Sequence, residues 1–144
     1  MGMVNHMIET NKIIVIDIDG TICTSPNVSG DYINAQPYLP MIEKLKLLKL
    51  EGFYIVLQTS RQMRTYKGNV GKITANTLPT LIDWLKKYKV PYDEIHIGKP
   101  WCGYDGYYVD DKAIRPSEFL SKSHEELNAL LSEEKDNLKK LIEE

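Results

Sequence analysis

Lys12-Ile-Ile-Val-Ile-Asp17-Ile-Asp19-Gly20-Thr21 is the stretch whose reading decides the fold. Residues 12–18 form an almost unbroken β-branched run. Such a run suits a strand buried on both faces, as in a parallel sheet covered by helices. Turn residues follow, from Ser25-Pro26-Asn27 through Gly30-Asp31 to Pro37 and Pro40. Met41 to Leu50 then places Ile42, Leu45 and Leu48 on one helical face, with Leu47 a further candidate, and Gly52 ends that helix. Phe53-Tyr-Ile-Val-Leu57 is a second strand of buried type, closing at Gln58-Thr59-Ser60.

Residues 61–76 are polar and glycine-bearing and read as a loop. Leu78 to Tyr88 reads as a helix with Pro79 in its first turn and Pro91 beyond its end. Glu94-Ile-His-Ile97 is a short third strand, and Gly106-Tyr-Tyr-Val109 a fourth, ending at Asp110-Asp111. This alternation predicts an α/β fold with a mainly parallel central sheet. In such folds ligands sit beyond the carboxyl ends of the strands.

That rule selects Asp17 to Thr21, Thr59-Ser60-Arg61, Lys99 and Asp110-Asp111. Gathering like charges is costly, so a carboxylate cluster near neutral pH demands a cation or a proton. Oxygen-only ligands favour a hard divalent ion, and Mg²⁺ is the natural choice. An Asp-x-Asp, an Asp-Asp or a Lys-Pro alone is ordinary loop chemistry. Their occurrence at consecutive strand ends of one short chain is what carries the expectation.

The chain of 144 residues has 18 basic and 20 acidic side chains, 42% hydrophobic residues and a net charge of −2. This composition belongs to a folded domain and excludes disorder and membrane classes. The charge argues against broad binding to nucleic acid or to a membrane surface. Two cysteines make no disulfide framework, and no secretory signal or myristoylation pattern opens the chain, which points to a cytoplasmic setting. Charge is unevenly placed. Residues 1–121 carry net +1 and residues 122–144 net −3. We therefore expect one domain over 1–121 and an acidic amphipathic helix over 122–144. Ser123-His-Glu-Glu126 is a capping-box pattern ahead of Leu127, Leu130, Leu131, Leu138, Leu141 and Ile142. Such a helix docks on its own domain or pairs two copies into a homo-oligomer.

Residues 61–72 carry Arg61, Arg64, Lys67 and Lys72 with no acid, which is either a solvated basic loop or, from its position after Thr59, a loop that grips anionic parts of a substrate. Tyr66 and Trp101 are aromatic candidates for stacking on a sugar or base ring. Gly68-Asn-Val-Gly71-Lys72 is not a P-loop, because the first glycine is misplaced and Ile73 replaces the required Ser or Thr. Cys23 and Cys102 read as packing residues, and His6, His96 and His124 lack metal-ligand spacing.

Ile13-Ile-Val-Ile-Asp17-Ile-Asp19-Gly20-Thr21 resembles the first motif of the haloacid dehalogenase-type phosphatases. Thr59, Lys99 and Asp110-Asp111 match the second, third and fourth motifs in the same order. Arg61-Gln-Met-Arg-Thr-Tyr-Lys-Gly-Asn-Val-Gly71 and Gly98-Lys-Pro-Trp-Cys-Gly103 resemble a narrower group, the small phosphatases of capsular polysaccharide biosynthesis. The resemblance implies a three-layer Rossmann-like fold and a Mg²⁺-dependent phosphatase acting on a small phosphorylated metabolite. It makes Asp17 the nucleophile and Asp19 the proton donor and, later, the activator of water. Thr59 binds a phosphoryl oxygen, with Ser60 as the register alternative, and Lys99 sits against Asp17 and the phosphate. Gly20 and Thr21 line the phosphate, and Arg61, Arg64 and Lys72 contact substrate. Asp17 and Asp111 ligate Mg²⁺ by side chain and Asp19 by its carbonyl, with Asp110 as ligand or supporting residue. The spans Thr21–Met41 and Thr59–Lys99 leave no room for the cap domain common in that superfamily. A phosphomutase or phosphotransferase, and an idle phosphate-binding module, are alternatives. A receiver-type signalling module is disfavoured, since its acidic pair comes early and its single Asp stands at a middle strand.

Overall fold

The computed structural model describes residues 11–26 and 31–143. The readings of the amino terminus and the turn residues Asn27 and Gly30 lie outside the described residues. The chain divides into two compact units, 1–101 and 102–144.

The first unit is an α/β unit. Strand β1 (Ile13–Asp17), helix α1 (Leu39–Leu50), strand β2 (Tyr54–Thr59), helices α2 (Val70–Asn76) and α3 (Leu78–Lys87) and strand β3 (Glu94–Ile97) follow in order. The three strands form a parallel sheet in the order β1-β2-β3. Asp17 pairs with Gln58, and Thr59 with Ile97, so the carboxyl ends of all three strands lie along one edge. Parallel strands need a crossover between them, and the helices supply it.

Local chemistry explains the element ends. Past α1, Gly52 at φ +94° lets Phe53 N–H reach the Leu48 carbonyl (3.0 Å) and Gly52 N–H the Lys49 carbonyl (3.1 Å). This is a Schellman ending. Helix α3 closes the same way without glycine. Lys89 takes φ +55° while Val90 N–H reaches the Leu85 carbonyl (3.0 Å). The core comprises Ile16, Ile18 and Ile22 with Met41, Ile42 and Leu45 of α1, Ile55 and Leu57 of β2, Ile73 of α2, and Leu81, Trp84 and Leu85 of α3. Trp84 also donates its indole N–H to the Ala35 carbonyl (3.0 Å), tying the loop before α1 to α3.

Three expectations need correction. Strand β1 is not buried on both faces among the described residues: Ile16 is buried, whereas Ile13 and Val15 are exposed. Apolar content cannot distinguish a two-sided from a one-sided strand when both faces are β-branched. Residues 61–76 are not all loop, because Asn69 caps α2 by accepting from Lys72 N–H (3.1 Å) and Ile73 anchors it in the core. A helix of seven residues is too short for its apolar spacing to stand out in sequence. Finally, Gly106–Val109 is not a strand. A Cβ at Gly106 would overlap the Cys102 carbonyl, and Tyr107, Tyr108 and Val109 are exposed and lie in no strand among the described residues.

The second unit holds helices α4 (Pro116–Ser121) and α5 (His124–Glu143). The capping box forms as read: Glu126 N–H donates to Ser123 Oγ (3.1 Å) and Ser123 N–H to Glu126 Oε1 (2.8 Å). Leu127 is buried, while Leu138, Leu141 and Ile142 are exposed. Among the described residues, no helix is long and apolar enough to cross a membrane.

Candidate functional site

The carboxyl edge of the sheet in the first unit gathers the chemistry. Asp17 ends β1, and the chain then winds around the Ile18 carbonyl, which accepts from Thr21, Ile22 and Cys23 N–H at 3.1, 2.8 and 3.3 Å. Gly20 makes this possible at φ +84°, a conformation that L residues with a Cβ avoid. The winding brings Thr21 Oγ1 to 3.5 Å from Asp17 Oδ2. From the end of β3, Lys99 Nζ approaches Asp17 Oδ1 at 3.4 Å, and Lys99 N–H donates to the Thr59 carbonyl (3.1 Å). Gly98 permits this path, since a side chain there would press on Val70. Burial pushes the Asp17 carboxyl above its ordinary range, and the Lys99 charge pulls it part of the way back.

Thr59 is buried at the end of β2, and its hydroxyl accepts from Arg61 N–H at 3.0 Å. That bond turns the chain so that the Arg61 side chain runs back beneath the site. Arg61 is 2% exposed. Its Nε donates to Asp19 Oδ2 (2.9 Å) and Oδ1 (3.2 Å), and Nη2 donates to Oδ1 (3.0 Å). The Tyr32 ring lies over the guanidinium at 4.5 Å. Nη1 is buried with no hydrogen-bond partner among the described residues. A buried pair of this kind holds only when both charges are matched, and here Arg61 and Asp19 neutralise each other. Cys23 joins the pair, with its thiol 3.5 Å from Asp19 Oδ1. Burial, with the Asp19 charge second, pushes that thiol up to about 12.

The structure therefore brings Asp17, Asp19, Thr21, Thr59, Arg61 and Lys99 together. It does not bring Arg61, Arg64 and Lys72 into one anion-gripping loop. Arg61 is consumed by Asp19, Arg64 stands over the Trp101 ring at 5.7 Å, and Lys72 is exposed on α2. Tyr32 and Cys23 are site neighbours that the sequence did not reveal. Ser60 is partly exposed, and its carbonyl accepts from Met63 N–H (3.0 Å).

Asp110 and Asp111 belong to the second unit. Lys112 N–H donates to Asp110 Oδ1 (2.8 Å), an Asx turn that leaves Asp111 exposed. Among the described residues no three His, Cys, Asp or Glu side chains are grouped to hold a metal ion. The first unit nonetheless offers Mg²⁺ the right donor type. Mg²⁺ commonly takes one or two carboxylates and fills its remaining positions with water and substrate phosphate. Asp17 and the Asp19 carbonyl are hard oxygens of that kind.

No protein-family model matches the chain, and no curated protein does. Among solved structures, one of a Pnkp1/Rnl/Hen1 complex is 22% identical, covering 77% of this chain and 34% of that one, with a TM-score of 0.45. The crystal structure of a structural-genomics target from Vibrio cholerae is 52% identical, with a TM-score of 0.81, and the match covers 85% of this chain and 98% of that one. At that identity and coverage, the chain belongs to the same family as the Vibrio cholerae protein.

Proposed function

We propose that this protein is a Mg²⁺-dependent phosphatase of the haloacid dehalogenase type, uncapped, hydrolysing a small phosphate monoester such as a sugar or polyol phosphate. The observation that carries the reading is Asp17 at the end of β1, partly desolvated, with Lys99 Nζ 3.4 Å from Oδ1 and Thr59 tied to Lys99 through the backbone. A carboxylate so placed is a nucleophile with a cation beside it to receive a phosphoryl group.

In the first step an Asp17 oxygen forms a bond to phosphorus as the bond to the leaving oxygen breaks. The leaving oxygen takes a proton from Asp19. Water then gives a proton back to Asp19 and attacks phosphorus, which frees Asp17 and phosphate. Asp19 Oδ1 is occupied by two Arg61 donors and the Cys23 thiol, whereas Oδ2 accepts only from Nε. Oδ2 is therefore the less occupied oxygen, and Arg61 fixes its direction. Thr59 and Lys99 take the phosphoryl oxygens. Bound Mg²⁺ would neutralise phosphoryl charge, held by the Asp17 side chain and the Asp19 carbonyl. Asp110 and Asp111 enter the metal proposal through the order of the motifs in the chain alone.

The short spans after Asp19 and Thr59 support an open site, and the motif resemblance supports a step in surface polysaccharide synthesis. Asp17→Asn is expected to abolish phosphate release from p-nitrophenyl phosphate and from every sugar phosphate tried, with the fold intact by circular dichroism. An unchanged rate overturns the mechanism. Phosphate moved to a second hydroxyl rather than released would identify a phosphotransferase. Wild-type protein that binds phosphate without turnover would identify an idle module.

A further inference from the structure

Helix α1 is apolar on two sides. Its inner side carries Met41, Ile42, Leu45 and Leu48, all buried in the first unit. Its outer side carries Leu39, Leu47 and Leu50, which are 60%, 59% and 85% exposed. At 3.6 residues per turn, Leu39, Glu43, Leu47 and Leu50 fall on one narrow stripe, with Lys46 at its margin. A helix apolar on both sides is one whose outer side has a partner of its own. We propose that this stripe is the contact through which two copies of the chain pair, their α1 helices antiparallel about a two-fold axis.

The order of residues along the stripe selects a second copy as the partner. From the amino end it runs apolar, acidic, basic, apolar: Leu39, Glu43, Lys46, Leu50. Laid against itself in the opposite direction, Leu39 of one copy meets Leu50 of the other, and Glu43 meets Lys46. Both pairings then occur twice, as a two-fold axis requires. Leu47 completes the seat, because Leu39 of the facing copy falls between Leu47 and Leu50 as a knob between holes. Parallel pairing would instead set Glu43 against Glu43 and Lys46 against Lys46.

Two further points agree. Within one helix Glu43 Oε1 stands 3.8 Å from Lys46 Nζ, with both side chains well exposed. A solvated pair of that length is weak, so both charges remain open to partners across the axis. Antiparallel alignment also sets the positive end of one helix dipole beside the negative end of the other. Two helices of twelve residues make an interface at the small end of the known range, so the expected equilibrium is a weak one. The stripe shares no residue with the candidate site, and the proposal stands whether or not the chain is a phosphatase.

Sedimentation equilibrium of the full chain between about 10 µM and about 1 mM is expected to show a reversible monomer–dimer equilibrium, the range suited to so small an interface. Leu47→Glu is expected to weaken association by at least about tenfold, since the axis counts each substitution twice. Glu43→Lys and Lys46→Glu are each expected to weaken it, and both exchanges in one chain to restore it. These exposed positions leave the fold intact, which circular dichroism checks. A mixture of Leu39→Cys and Leu50→Cys chains, oxidised with copper phenanthroline, reads the register. It is expected to cross-link position 39 of one copy to position 50 of the other, as peptide mass spectrometry identifies. Neither variant alone is expected to join through its new thiol, because like positions on the antiparallel pair lie roughly 16 Å apart. A chain that stays monomeric throughout that range overturns the proposal. So does a dimer indifferent to Leu47→Glu, or a loss from the single charge exchanges that the double exchange fails to restore.

Discussion

Asp19 and Arg61 meet across 42 positions of chain, and their pairing sets the character of the site. A lone buried guanidinium or carboxylate is prohibitively costly, so each makes the other tolerable. Cys23 lies against the same pair, and its environment predicts its reactivity. With its pKa pushed up to about 12 by burial first and by the Asp19 charge second, it stays a thiol at neutral pH. Iodoacetamide at neutral pH is expected to label Cys102, which is partly exposed, and to leave Cys23 untouched until urea unfolds the chain. Peptide mass spectrometry before and after unfolding reads the outcome, and fast native labelling of Cys23 contradicts it. At this scale the sequence marked Asp17, Asp19, Thr59 and Lys99, because their strand-end positions follow from local pattern. It placed Arg61 among the substrate contacts and did not reveal its pairing with Asp19, since that partner lies in another part of the chain.

Elements contribute through packing and through the strand-to-strand contacts of β2. Leu57 is fully buried at the middle of the sheet. Leu57→Ala is expected to cost about 2–5 kcal/mol of unfolding free energy in urea, the range for deleting a buried leucine. Between β2 and β3, Tyr54 Oη donates to Glu94 Oε2 at 2.5 Å. That bond holds the Glu94 carboxyl below its ordinary range, with His96 assisting, and raises the Tyr54 phenol to about 12. The signs follow from proton binding. Glu94 contributes stability above its unfolded pKa and loses it as pH falls through the lowered folded value. Tyr54 contributes below its unfolded value of 10.0 and loses this as pH rises toward 12. Tyr54→Phe is therefore expected to lower the neutral-pH melting temperature slightly and to flatten its decline at both extremes. A pH series of melting curves shows this, and parallel curves for the two proteins would refute it. Helices α1, α3 and α5 and the three strands were legible in the sequence because each has a strong period or a clear stop. Helices α2 and α4 were not, being short segments of seven and six residues.

For the molecule as a whole, the proposed chemistry makes metal dependence the decisive property. EDTA is expected to silence phosphate release and added Mg²⁺ to restore it. Asp111→Asn is expected to raise the Mg²⁺ requirement more than Asp110→Asn, because the Asp110 carboxylate is already engaged by Lys112 N–H. Activity undiminished by EDTA would remove Mg²⁺ from the mechanism. The net charge of −2 hides a buried ion pair, a carboxylate beside a lysine, and a mostly acidic helix. By itself the sequence determined the parallel α/β arrangement and the strand-end residues, because hydrophobic runs, caps and stops act over a few neighbouring positions. Only the tertiary structure decided that Arg61 serves Asp19, that Tyr32 covers it, that Ile13 and Val15 of β1 are exposed, and that Gly106–Val109 forms no strand among the described residues. These depend on which surfaces meet across tens of residues, where burial and charge matching outweigh local preference.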